Sequence, residues 1–148
     1  MRTMSPFFMH RFEEPALALL RMVSGAMLMQ HGAQKLLGAL GGYGGQPGAT
    51  ADAFARSWFA GMLELFVAAL LVIGLGTRPV AFLLSGLMAF AYFIGHAGDG
   101  FWPILNRGEL AALYCFVFLY LSARGGGRYS VDALLARRSG AAETVAAR

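Results

Sequence analysis

Arg21-Met-Val-Ser-Gly-Ala-Met-Leu-Met-Gln30-His31-Gly-Ala-Gln-Lys35 is an apolar run with a cation at each end and a histidine inside it. Arg21, Ser24, Leu28, His31 and Lys35 follow steps of three, four, three and four, so on a helix they form one stripe. Three further apolar runs each carry an ionisable residue at or inside their border: Glu64, His96 and Glu109. The pattern predicts an all-α fold, an integral membrane four-helix bundle around one polar pocket, with short N-terminal and C-terminal surface segments.

Composition supports this class. The 148 residues are 57% hydrophobic and 14% charged, with a mean hydropathy of +0.57. An ordinary soluble domain is roughly 45–50% apolar and about 25% charged. A chain this short forms a single domain over 1–148, and it cannot hide that apolar excess from water by itself. The excess faces lipid or a partner. The single cysteine, Cys115, excludes an internal disulfide, a CxxC redox pair and a thiolate zinc site. The net charge of +4 comes from arginines spread over loops and ends. That distribution suits anionic lipid headgroups and argues against a nucleic-acid partner.

The spans are expected at about 15–38, 58–75, 79–97 and 108–123, with an amphipathic segment at 129–138. Residues 1–14 mix charges with Phe7, Phe8 and Phe12 and read as a surface segment, since no apolar core precedes a small-residue cleavage site. Glu13-Glu14-Pro15 reads as the first helix start. The glycine-rich stretch 41–50 reads as a flexible loop and candidate lid. Gly76-Thr-Arg78-Pro79 and Gly98-Asp-Gly-Phe-Trp102-Pro103 read as turns. Ser130 is the expected N-cap of the last segment, with Asp132 complementing its dipole, and residues 139–148 read as a loose tail. Four spans place both ends on one side. That side holds Arg2, Arg11, Arg78, Arg124, Arg128, Arg137, Arg138 and Arg148, and the other holds Lys35, Arg56 and Arg107. Eight against three predicts both termini in the cytoplasm.

Stripes on the other spans are expected at Gly61, Glu64 and Ala68; at Ser85, Ala89, Tyr92 and His96; and at Glu109, Ala112, Phe116 and Tyr120. With cytoplasmic termini, His31, Lys35, His96, Asn106, Arg107 and Glu109 lie toward the outer face. Glu64 lies about 9–15 Å below the start of its helix and Arg21 lies near the inner face. An ionisable group at mid-bilayer costs about 2.5–3.5 kcal/mol on the insertion scale, so Glu64 is expected to be neutral, paired or hydrated, with Lys35, His31 and Arg107 as the candidate partners. Small residues beside the polar ones permit close helix approach.

The order of Arg21, His31-Gly32-x-x-Lys35-Leu36, Glu64, Gly74-Leu-Gly-Thr-Arg78, Asn106-Arg-Gly-Glu109 and Gly125-x-Gly127-x-Tyr-Ser130-x-Asp132 resembles the DoxX family of small four-helix bacterial membrane proteins, over about residues 15–135. The family includes the large subunit of a thiosulfate:quinone oxidoreductase and proteins linked to quinone or thiol stress. The resemblance implies residence in the bacterial inner (cytoplasmic) membrane and makes Arg21, Lys35, Glu64 and Glu109 site candidates. It also implies a quinone-linked oxidoreductase or oxidoreductase subunit. In that reading Glu64, His31, Lys35 and His96 are the catalytic candidates, and Arg21, Asn106, Arg107 and Glu109 the substrate-binding ones. Lys35 or His31 would donate to quinone oxygens, and Glu64 or His96 would exchange protons. Membrane lipid, a soluble redox protein and a second copy of the chain are the expected partners. Three alternatives stay open: a non-enzymatic anchor or assembly partner for a soluble redox enzyme, docking through the basic C-terminal segment; a metal or haem site drawn from His31, His96, Glu64 and Glu109; and a transporter.

Overall fold

The computed structural model describes residues 6–146, with side chains described for 11–139. Arg2, the His10 side chain and Arg148, all part of the expected surface segments, lie outside the described residues. The chain is helical, with α1 at Pro6–Leu37, α2 at Arg56–Ile73, α3 at Thr77–Gly95, a short α4 at Pro103–Asn106, α5 at Glu109–Arg124 and α6 at Val131–Ala146. Among the described residues there is no strand.

Two antiparallel pairs build the bundle: α1 against α2, and α3 against α5, with α2 and α3 joining them. The core where they meet contains Leu28, Ala68, Leu71, Leu84, Phe118 and Leu121. Large apolar side chains also cover the outside. Phe66, Phe82, Phe93 and Phe116 are each more than half exposed, a surface that water would not tolerate and lipid would. By length and composition, Arg56–Ile73 and Thr77–Asp99 can each cross a membrane. Helix α5 has 16 residues, about 24 Å at 1.5 Å per residue, and so falls short of a bilayer core of about 30 Å.

Four expectations need correction. Helix α1 does not start at Pro15 but runs through it from Pro6; the missing amide removes one helical bond without ending the helix. Glu14 is therefore no N-terminal residue. Its carboxylate accepts from Arg124 Nη2 at 2.9 Å and from the Arg128 amide, tying α1 to the far end of α5. Helix α5 is rotated from its expected face, since Phe116 and Tyr120 point outward while Tyr114, Phe118 and Leu121 are buried. The rotation leaves Glu109 exposed, which avoids the cost of burying its charge. The 41–50 loop is no lid over the pocket described below. It holds a tight turn at Tyr43–Gly45, Tyr43 N donates to Ala49 O at 2.8 Å, and Ala51 N donates to Lys35 O at 2.7 Å. Finally, α6 continues through the expected tail to Ala146.

One end of the bundle is closed by polar groups that satisfy helix termini. Arg21 is 1% exposed. Its Nη1 donates to the carbonyls of Leu71, at 2.6 Å, and Val72, and its Nη2 donates to Tyr129 O at 2.7 Å. Carbonyls in the last turn of α2, where intrahelical donors run out, thus meet a cation. Gly74, at φ 74°, makes room: a Cβ there would stand 2.9 Å from the guanidinium carbon. Ser130 Oγ accepts from Ala133 N at 3.2 Å and caps α6. Asp132 does more than complement its own helix. Its carboxylate accepts from Gly76 N at 2.7 Å and Thr77 N at 2.8 Å, capping α3 from the first turn of α6.

Burial pushes the Asp132 carboxyl up, but the bonds from Thr77 and Gly76 and the nearby Arg21 charge outweigh it and hold it below the ordinary aspartate value. The Arg128 amide, opposed by burial and aided by Arg124, likewise lowers Glu14. A carboxyl lowered in the folded state contributes stability above its unfolded pKa and loses it as pH falls through the folded value. The docking of α6 should therefore be complete at neutral pH and fail only below the normal carboxylate range. Asp132→Ala should cost about 1–2 kcal/mol, read as a lowered thermal midpoint in detergent, with amide hydrogen exchange accelerated in residues 131–138.

Candidate functional site

Glu64 lies inside α2 in a π-helical turn, Leu63–Val67. A π-turn inserts one residue into the α-helical register and re-aims the side chains it carries. Glu64 is 3% exposed and faces α1. Two glycines bring the helices together there. A Cβ at Gly32 would stand 2.6 Å from Leu65 N, and one at Gly61 would stand 2.9 Å from Lys35 Cβ. Lys35, one turn beyond Gly32, reaches across this contact. Its Nζ donates to both carboxylate oxygens of Glu64, at 2.5 and 2.6 Å. The cation that completes the buried pair therefore comes from the helix whose close approach buries the acid.

The pair borders a cavity of about 230 Å³. Leu28, His31 and Lys35 of α1, Glu64 of α2, Met88, Ala91 and His96 from α3 and its C-cap, Arg107, and Leu110, Ala111 and Tyr114 of α5 line it. All four catalytic candidates meet here. His96 Nδ1 lies 3.1 Å from Asn106 O. A carbonyl only accepts, so Nδ1 carries the proton in this contact and Nε2 is left to face the cavity. Arg107 reaches the cavity from a left-handed backbone, φ 60°. Tyr114 is 5% exposed, and its hydroxyl has no hydrogen-bond partner among the described residues.

The other substrate-binding candidates stand elsewhere. Asn106 is buried and organises the turn before α5: its Nδ2 donates to Gly100 O at 2.6 Å and its Oδ1 accepts from Gly108 N at 2.8 Å. It supports His96 through its backbone and does not line the cavity. Glu109 is exposed and outside the lining. Arg21 closes the opposite end of the bundle. Among the described residues no group of three or more His, Cys, Asp or Glu could hold a metal ion, so the metal alternative finds no ligand set there.

Sequence reasoning missed Tyr114 because it chose the wrong face of α5; the steps from Tyr114 to Phe118 and Leu121 would have found it. The π-turn has no signal in Leu-Glu-Leu-Phe-Val. Beside the cavity, α1 and α5 leave an apolar groove of about 540 Å³, lined by Leu19, Val23 and Met27 on one side and Leu113 and Val117 on the other. Leu110 and Tyr114 line both spaces.

The family model for DoxX matches residues 16–97. This stretch contains Arg21, His31, Lys35, Glu64 and His96 and ends before Asn106, Arg107 and Glu109. An uncharacterized protein of Haemophilus influenzae is 44% identical over 119 residues, covering 78% of this chain and 87% of that protein. No solved structure matches the chain.

Two stability measurements test the geometry. Lys35→Met leaves the buried carboxyl without its cation and should cost about 3–5 kcal/mol. The double variant Lys35→Met/Glu64→Leu removes both charges and should recover a large part of that loss in thermal unfolding in micelles. Gly32→Leu should lower the midpoint as well, because overpacking costs about 1–3 kcal/mol and here forces α1 from α2.

Proposed function

The chain belongs to the DoxX family of membrane proteins, and from that premise we propose that it is a quinone-linked oxidoreductase or the membrane subunit of one. The observation that carries this reading is the junction at Tyr114. There a small polar cavity holding Lys35, Glu64 and two histidines adjoins an apolar groove between α1 and α5. The cavity, at about 230 Å³, is smaller than the roughly 300–1,000 Å³ of a drug-sized site. It suits one ring, with any tail left outside.

The residues present fit a quinone. Its ring oxygens only accept, and Lys35, Arg107 and the unpartnered Tyr114 hydroxyl are donors at the cavity wall. Leu28, Met88 and Ala91 supply apolar contact for the ring. An isoprenoid tail would occupy the groove along Val23, Met27 and Leu113, so the ligand arrives from the bilayer without crossing water. When bound, a quinone supplies an acceptor for two electrons and two protons. The chain's own part is proton traffic and positioning. Lys35 and Tyr114 orient the ring, and the Lys35–Glu64 pair keeps a proton donor and a proton acceptor together out of water. His96 Nε2 is a further proton acceptor. The electrons come from a soluble redox partner.

The excess of arginine on the side of Arg78, Arg124 and Arg128 supports cytoplasmic termini in a bacterial inner membrane. This orientation directs His31, Lys35 and His96 toward the outer face. On this reading α1 and α5 also span, giving four crossings; α5 gains length from the Pro103–Asn106 turn before it.

Short-chain quinone binding to the purified protein, followed by quenching of Trp58 and Trp102 fluorescence, tests the proposal. Lys35→Met should raise Kd about tenfold, the equivalent of roughly 1.4 kcal/mol. Tyr114→Phe should raise it a few-fold, as expected for losing one neutral hydrogen bond of about 0.5–1.5 kcal/mol. Identical quenching of wild type and both variants would contradict the site and leave the anchor reading in its place.

A further inference from the structure

At the bundle end away from Glu64, the turn between α2 and α3 and the segment between α5 and α6 border a second, open cavity of about 420 Å³. Arg78, Arg124 and the three glycines 125–127 form one side of it. Arg78 Nη1 donates to Ala123 O at 2.6 Å, which fixes the guanidinium plane against the end of α5. Its other edge passes Gly125. A Cβ at that position would stand 3.3 Å from Nε and 3.6 Å from Nη2, so the glycine leaves the edge uncovered. The Nε/Nη2 edge of a guanidinium holds two oxygens of one phosphate in parallel.

The acidic groups nearby are already engaged. Asp132 accepts from the amides of Gly76 and Thr77, and Glu14 accepts from Arg124 and the Arg128 amide. Among the residues that line the cavity, Arg78 and Arg124 outnumber the one carboxylate, Asp132, so the lining is net positive. Tyr129, just before α6, and Leu134 and Leu135, in its first turns, are each about half exposed. Apolar side chains displayed beside guanidinium groups mark a helix lying at the headgroup boundary, where anionic lipids attract arginine.

We propose that this cavity binds a phosphate group, held bidentately by Arg78 over Gly125 and supplied by a membrane phospholipid headgroup. The inference stands on this end of the bundle alone and does not depend on the quinone reading.

The full chain, purified in mild detergent, is titrated with phosphatidylglycerol and followed by native mass spectrometry. A separate arm follows inorganic phosphate by the width of its phosphorus resonance. Arg78→Gln should weaken lipid retention about tenfold, the scale of one charge-assisted contact. Arg78→Lys keeps the charge and the bond to Ala123 but loses the fork, and should weaken it about threefold; it decides the matter if the glutamine variant does not fold. Arg137→Gln, on the exposed part of α6, should leave retention unchanged. Phosphate broadening that depends on Arg78, with no lipid retained, would keep the phosphate site and overturn its lipid source. Equal retention by wild type and both Arg78 variants would overturn the proposal.

Discussion

A carboxyl buried in an apolar bundle needs a proton, water or a cation, and the contact between Lys35 and Glu64 supplies the cation across the closest approach of two helices. The approach requires glycine at two positions: a side chain at Gly32 would strike the backbone of α2, and one at Gly61 would strike Lys35 itself. The π-turn then aims Glu64 at α1. Charge, packing and backbone register are therefore one constraint. The cavity follows from it, because a pair of this polarity cannot be surrounded entirely by hydrocarbon without large desolvation cost. His31, His96, Arg107 and Tyr114 form the polar remainder of its lining.

The two ends of the bundle solve different problems. At the Glu64 end, ionisable side chains collect around open space, with the Tyr114 hydroxyl unpartnered among the described residues. At the other end, Arg21 and Asp132 are spent on backbone groups, the first on carbonyls at the end of α2 and the second on amides at the start of α3. Burying the Arg21 charge is costly, yet this arrangement produces a closed, stapled structure. That difference in partners separates the groups suited to chemistry from those suited to holding the fold. Arg21 and Glu64 look alike in a hydropathy profile and play opposite parts.

Much of this was legible in the sequence because helical spacing is blunt and robust. The stripes through Leu28, His31 and Lys35, through Gly61, Glu64 and Ala68, and through Ser85, Tyr92 and His96 all face inward, since three-four spacing on an apolar helix has only one buried side. The cost of leaving Glu64 alone put Lys35 among three candidate partners, and only the packing of α1 on α2 selects it. Helix α5 was misread because Glu109 was taken to mark the inner face, whereas an acid at a helix N-terminus can stay outside and interact with the dipole. The π-turn, the capping of α3 by Asp132 and the carbonyl bonds of Arg21 were illegible. Each depends on backbone positions that meet only after distant segments have packed.

Lys35 is the only lysine in the chain, so nitrogen-15 labelling of lysine side chains gives a single ammonium signal. Solid-state NMR of the protein in lipid bilayers, with carbon-13 in glutamate carboxyls, measures how near that nitrogen lies to a carboxylate. The account predicts one strong nitrogen–carbon dipolar coupling, lost in Glu64→Gln, as expected for Nζ at 2.5–2.6 Å from both oxygens. An uncoupled, mobile lysine signal would contradict it.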